Sequence, residues 1–339
     1  WWFEGNRKSA ESLALQAIEL LSDRAASRAK AMAFSNMSQL KMLSDEFAEC
    51  ILWGEKAIEM ANELGNEEIL SHALNNIGTT KMFISVSREE GIAMLQKSLE
   101  IALKNSCHEH VARAYTNLGS GSVKIKNYPF AKRVLEDGIG YCEESDLNSW
   151  TTCMLSWKAR LDLEQGRWME ACVTANDVLK NENQPATIKI PTVIVLAKVM
   201  MRKGEKDALN VLLEAKRMSF ETMELQRIIP SMVALLEYEW LSGKTILEKD
   251  DIEQTSSLMQ HAGIDSDKNE FAFWMNKAGR YFVSQKEIPE PYDVSSTAKA
   301  LKAAAYWEKV GCPYEQALVL FEGKDDDKRK AIAMVQELG

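Results

Sequence analysis

The sequence predicts an all-α chain of stacked helix pairs wound into a right-handed superhelix, a solenoid. Three observations predict it. Apolar residues recur at spacings of three and four almost everywhere, as in Leu13, Ala17, Ile18, Leu20 and Leu21, whereas strict alternation over strand lengths is hard to find. The composition, rich in Ala, Leu, Met, Glu and Lys with only 7 Pro in 339 residues, favours helix. Three segments overlay, Phe34-Ser35-Asn36-Met37-Ser38, Leu74-Asn75-Asn76-Ile77-Gly78 and Tyr115-Thr116-Asn117-Leu118-Gly119, at intervals of 40 and 41 residues. At that period the chain amounts to about eight helix pairs, each resting on its neighbours.

Taken in order, the first segment reads as the second helix of an incomplete repeat with Gly5-Asn6 as its turn. With a start on Trp1 rather than Met, this predicts a piece of a longer protein. The third unit is similar to a tetratricopeptide repeat: Tyr115, Leu118 and Gly119 match its first helix, and Tyr128, Ala131, Leu135 and Gly138 its second. Gly119, Ala131 and Gly138 let two helix backbones approach closely while Tyr115 and Leu135 fill the space beside them. Fainter copies follow, with inter-helix turns at Gly166-Arg167-Trp168 (and Ala171), Lys203-Gly204-Glu205 (and Ala208) and Ser242-Gly243-Lys244, where Gly supplies the positive φ that ends a helix. Asn127-Tyr128-Pro129 makes the third unit's turn without Gly. Pro129, Pro191 and Pro230 are placed just before, or within, the first turn of a helix. The pattern stops near residue 285, which divides the chain into a repeat array (1–284), a connector containing Pro289 and Pro291 (285–295) and a closing helical unit (296–339).

Charge narrows the function. With 50 acidic against 41 basic residues and a net charge of −9, the chain lacks the cationic surface that binds nucleic acid by counterion release. The six cysteines are scattered without a C-x-x-C pair, which suggests neither a disulfide framework nor zinc, and a reducing, cytoplasmic setting. No stretch approaches the ~20 apolar residues of a membrane span.

Motifs that resemble chemistry fail on their context. Ser242-Gly243-Lys244-Thr245 ends like a phosphate loop, but Tyr238 stands where that loop needs its first Gly, and no strand precedes it. Gly119-Ser120-Gly121 lacks the third Gly of a dinucleotide fingerprint. Cys107-His108-Glu109-His110 groups ligand types without the i, i+3 or i, i+4 spacing of a helix-borne metal site, and reads as a repeat junction. Four histidines offer little material for nucleophilic catalysis, and the carboxylates read as solvated helix faces. The Met and Trp residues, as in Met32, Met37 and Met42, read as core, and Asp325-Asp326-Asp327 as the acidic first turn of a last helix. The expectation is a binding protein, not an enzyme, with no metal and no cofactor in this chain.

One column points to a site. Asn36, Asn76 and Asn117 occupy the same repeat position, and first helices line the concave face of such a solenoid. Amides stacked there can donate to and accept from an extended peptide backbone, with His72 and Arg113 pointing into the same groove. The other reading is that each Asn bonds a neighbouring helix or turn.

The last unit, Trp307-Glu308-Lys309-Val310-Gly311-Cys312-Pro313-Tyr314-Glu315-Gln316-Ala317-Leu318-Val319-Leu320-Phe321-Glu322-Gly323 and the helix after it, resembles the closing segment of the helical-repeat region in large ATP-dependent transcriptional regulators of the LuxR type. His72 to Gly78, Ala112 to Gly119 and Leu163 to Trp168 are similar to that family too. The resemblance implies a sensor or interaction arm that binds an inducer or a partner protein in its concave groove. ATP and DNA would be handled by domains outside this chain, since Tyr314 to Phe321 holds no Arg or Lys to serve as a recognition helix. The alternative is a free-standing scaffold that binds peptides, unrelated to transcription; self-association fits either.

Overall fold

A computed structural model describes residues 7–280 and 289–339. The expected Gly5-Asn6 turn and the first part of the connector lie outside the described residues. Within them the chain forms seventeen α-helices and no strand. Helix α1 (Arg7–Leu20) leads into six pairs: α2 (Arg28–Leu43) with α3 (Phe47–Glu63), α4 (Glu67–Phe83) with α5 (Arg88–Lys104), α6 (His108–Lys124) with α7 (Tyr128–Glu144), α8 (Asn148–Glu164) with α9 (Trp168–Leu179), α10 (Ala186–Arg202) with α11 (Ala208–Thr222), and α12 (Leu225–Ser242) with α13 (Lys249–Met259). Then come α14 (Asp265–Lys277), which stacks on α12, and a closing unit of α15 (Thr297–Val310), α16 (Pro313–Leu320) and α17 (Asp325–Leu338).

Each first helix packs on its own partner and also on the next first helix, from α2 on α4 through to α12 on α14, which is the packing of a helix-pair solenoid. The Phe34 segment therefore needs correcting: α2 is the first helix of a full pair, stacked beside α4, and not the second helix of an incomplete one.

The regularity comes from a repeated stop signal. Helices α3 to α8 each run 17 residues, and most pairs turn on a left-handed residue: Asp45, Gly65, Ser106, Lys126, Asp146, Gly166 and Gly204, with φ between 53° and 77°. The amide after each of these bonds back to a carbonyl five residues earlier, as from Asn127 to Ser122 at 2.9 Å, Leu147 to Cys142 at 2.8 Å and Arg167 to Asp162 at 2.8 Å. This Schellman closure satisfies carbonyls the helix end would leave bare. Gly166, Gly204 and Gly243 mark turns as expected, and at the glycine-free turn Lys126 takes the positive φ.

Small residues set the helix spacing. A Cβ on Gly119 would lie 2.5 Å from Leu135 Cδ2, and one on Gly138 2.7 Å from Tyr115 Cβ; tighter still, one on Gly91 would meet the Met82 backbone nitrogen at 2.3 Å. The prolines depart from expectation. Pro129 is in the first turn of α7, but Pro191 and Pro230 stand six residues into α10 and α12, where they withdraw the amide that the carbonyls of Thr187 and Gln226 would accept.

The array curves enough to bring α12 within reach of α2. The Gln226 amide on α12 donates to the Leu43 carbonyl at the end of α2. The closing unit docks across the α8–α9 turn, with Pro313 and Leu338 packed against Gly166, and α17 opens on Lys324, whose amide is capped by Asp327 at 2.9 Å. The largest apolar core runs from α6 into α17, whereas the first repeats hold only small clusters such as Ala31, Ala61 and Ile69.

Candidate functional site

The three asparagines lie on first helices, but Asn36 stands nine residues beyond its cap where Asn76 and Asn117 stand ten, and their surroundings differ. Asn36 is exposed on α2, and Asn117 is half-buried on α6. Asn76, on α4, is 0% exposed: its amide donates to the Ser35 carbonyl at 2.8 Å and its oxygen accepts from the Arg113 guanidinium. Asn117 donates to Asn75 Oδ1 at 2.6 Å. His72 is buried with Nδ1 2.7 Å from Ser35 Oγ and its ring edge-on to His110 at 5.3 Å. Three of the five residues, His72, Asn76 and Arg113, thus form one buried network stitching α2, α4 and α6. The groove-facing placement expected for those three does not hold, because their polar atoms meet the adjacent first helix instead.

The same burial sets their ionisation. Lost solvation, with the Arg113 charge and His110 adding to it, holds the His72 imidazole well below its ordinary pKa, so it is neutral. Arg113 is lowered to about 10 by burial, with no carboxylate ion-paired to it among the described residues.

Further along, the concave side opens. A cavity open to solvent lies between α8, α10, α12, α14 and the closing unit. Ile190, Pro191 and Ile194 of α10 and Ile229, Pro230 and Val233 of α12 form its apolar side; Trp157, Phe273, Trp274, Tyr292 and Trp307 add aromatic surface. The pattern has a reason in the repeat. Counted from the residue that caps each helix, the tenth position is Asn76, Asn117, Trp157 and then Val195, so continuing the asparagine column two repeats reaches the cavity.

Charges occur among these apolar walls in compensated groups. Glu164 accepts from Lys126 at 2.8 Å, Arg160 at 2.7 Å and Tyr128 at 2.6 Å. Burial alone would raise its pKa, but the two cations outweigh burial and hold it far below the carboxylate range. Glu237, fully buried, is bound by Arg202 at 2.8 and 3.3 Å with Lys198 at 3.5 Å. Arg202 also stacks 3.6 Å over the Tyr314 ring of the closing unit. The reading of carboxylates as solvated helix faces is therefore wrong for Glu164, Glu237 and Asp267, which are buried and paired.

Arg227 differs from the other two arginines of the cavity. It is 8% exposed, its nearest carboxylate oxygen belongs to Glu224 at 3.7 Å from Nε, and its side chain makes no hydrogen bond among the described residues. Burial lowers its pKa, and Glu224 offsets only part of that. Across the cavity Lys124 lies 3.4 Å from Asp267. Asp45, on the α2–α3 turn, reaches the same neighbourhood; burial first, then Asp267 and Glu224, push its carboxyl up to about 7 against the opposing pull of Lys124. Nothing in the sequence distinguished Arg227 from a surface arginine, since its meaning depends on Cys153 of α8 and Asp45 of the α2–α3 turn coming close to it.

Elsewhere, Cys107 to His110 sits at the α5–α6 junction, where His108 meets the Tyr141 hydroxyl at 2.7 Å. No helix of the described residues is long and apolar enough to cross a membrane.

No family model matches the chain, and no curated protein matches it. Among solved structures it is similar to one described as a circular tandem repeat protein with novel repeat topology and enhanced subunit contact surfaces, at 16% identity over 99% of this chain and 89% of that one, with a TM-score of 0.29. At that score the likeness carries no argument of its own, and the chain stands as a helical-repeat protein on its own helix packing.

Proposed function

We propose that this chain is a binding arm that acts by holding a ligand or partner in the cavity on its concave side, as part of a cytoplasmic transcriptional regulator of the LuxR type. The observation that carries the binding reading is the cavity itself, a partly apolar, aromatic-sided space with a buried arginine short of partners, which is the character of a small-molecule site. The regulator reading is supported by the Trp307 to Gly323 resemblance alone. On this reading the arm turns over no substrate and uses no cofactor of its own. Occupancy instead shifts the population of arm conformations that the rest of the protein senses. It touches neither DNA nor membrane directly.

Thermal-shift screening of the purified chain against a metabolite collection tests the binding reading. Some compound should raise the melting temperature saturably in the wild type and not in Ile194→Trp, which fills the cavity. Equal shifts in both proteins would place binding elsewhere. The regulator reading is tested on the gene: a reading frame continuing into a phosphate loop on one side and a basic helix-turn-helix on the other supports it, and stop codons close to both ends contradict it.

A further inference from the structure

The ligand's chemistry is written in the one cavity arginine that has no hydrogen-bonded carboxylate among the described residues. Arg160 and Arg202 each spend their guanidinium on a carboxylate within 2.8 Å. Arg227 does not, although it is as deeply enclosed: Glu224 approaches a single nitrogen at 3.7 Å, and Nε has no hydrogen-bond partner. A buried cation in this condition is costly unless an acceptor completes it. The same cavity is lined on α12 and α10 by Pro230 and Pro191, which present apolar rings and no backbone N–H, and by Ile194 and Val233. A polar donor thus adjoins an apolar wall. We infer that the cavity takes a small amphipathic organic anion, its charged head on Arg227 and its apolar body along Ile194, Pro230 and Val233.

The surrounding charges limit the head to a single negative charge. Asp267 already occupies Lys124, and Glu224 stands beside Arg227, so a polyanion meets repulsion that a monoanion largely escapes. This inference rests on the cavity being the binding site, and the experiment separates the two.

The probes are 8-anilinonaphthalene-1-sulfonate and N-phenyl-1-naphthylamine, the same apolar body with and without the anionic head, titrated by fluorescence into the folded chain. The sulfonate should bind saturably at one site, at least about ten-fold tighter than the neutral probe, as a charge-assisted contact implies. Arg227→Gln should remove that advantage while leaving the neutral probe within about two-fold, and Arg227→Lys should restore part of it. Ile194→Trp should abolish both. If Arg227→Gln loses its helical circular dichroism, the wild-type ratio of the two probes and the Arg227→Lys variant decide the matter. A wild-type ratio under about two, or Arg227→Gln weakening both probes alike, overturns the anion inference and leaves the cavity reading standing. Binding of neither probe to the wild type overturns both.

Discussion

The first three helices of the inner row and the next three use the same repeat positions in opposite ways. Six residues beyond the cap stand His72 on α4 and Arg113 on α6, but Pro191 on α10 and Pro230 on α12; at ten stand Asn76 and Asn117, then Trp157 and Val195. In the first half these side chains bond across to the adjacent inner helix and shut the concave face. In the second half, Pro191, Pro230, Trp157 and Val195 make no such bonds and line the cavity that Arg227 also faces. A solenoid position therefore has no fixed role. Whether it stitches or binds depends on whether its polar atoms find partners one helix away.

Breaking the charge groups should give the largest effects. Glu237→Leu strands Arg202 in the core, and denaturant unfolding should show a loss of about 3–5 kcal/mol. Asn76→Leu removes the acceptor of Arg113 and a donor to Ser35 and should cost about 2–3 kcal/mol. Adding Arg113→Met should recover a large part of that loss, because the pair goes together. By contrast Arg227→Gln should change stability by less than about 1 kcal/mol, since it gives up no hydrogen bond. A loss as large as that of Asn76→Leu would break the comparison, making Arg227 another stitch.

Two buried groups of the first repeats, one of them reaching toward the cavity, also differ in the sign of their pH dependence. His72 has a folded pKa below its unfolded 6.5, so below that pH the unfolded chain binds the extra proton and the first repeats lose stability as pH falls. Asp45 runs the other way: with its folded pKa raised to about 7 from 3.8, the native state holds the extra proton between those values, and stability drains as pH rises through that window. Asp45→Asn should therefore stabilise the chain more at pH 8 than at pH 4, by about 2 kcal/mol or more. An equal effect at both pH values contradicts the buried-carboxyl account.

The smallest effects belong to the turns, which are alike in both regions. Ser106→Gly and Asp146→Gly, at exposed left-handed positions, should each raise stability by about 0.5–1 kcal/mol, measured by thermal melts.

The helices and their period were legible because apolar spacing and the Leu-Gly pairs record packing directly; Gly119 and Gly138 sit at the close approaches assigned to them. The connector boundary at 285 falls among residues outside the described ones. What the sequence hid was partnership. Asn36, Asn76 and Asn117 look alike in one dimension, yet Asn76 meets Ser35 and Arg113 only because α2 and α6 flank it. Glu164 looked like a solvated acid because one of its cations comes from the α6–α7 turn and the other from its own helix. Pro191 and Pro230 were placed too early in their helices, since the interior of a helix ordinarily penalises proline.

The central claim is that the inner face is closed by its own side chains in the first repeats and open to a ligand in the later ones. A crystal structure of the chain grown with 8-anilinonaphthalene-1-sulfonate tests it directly. The account predicts probe density between α8, α10 and α12 with the sulfonate on Arg227. Density seated instead over Asn36 and Asn117, with the cavity left without probe, would contradict it.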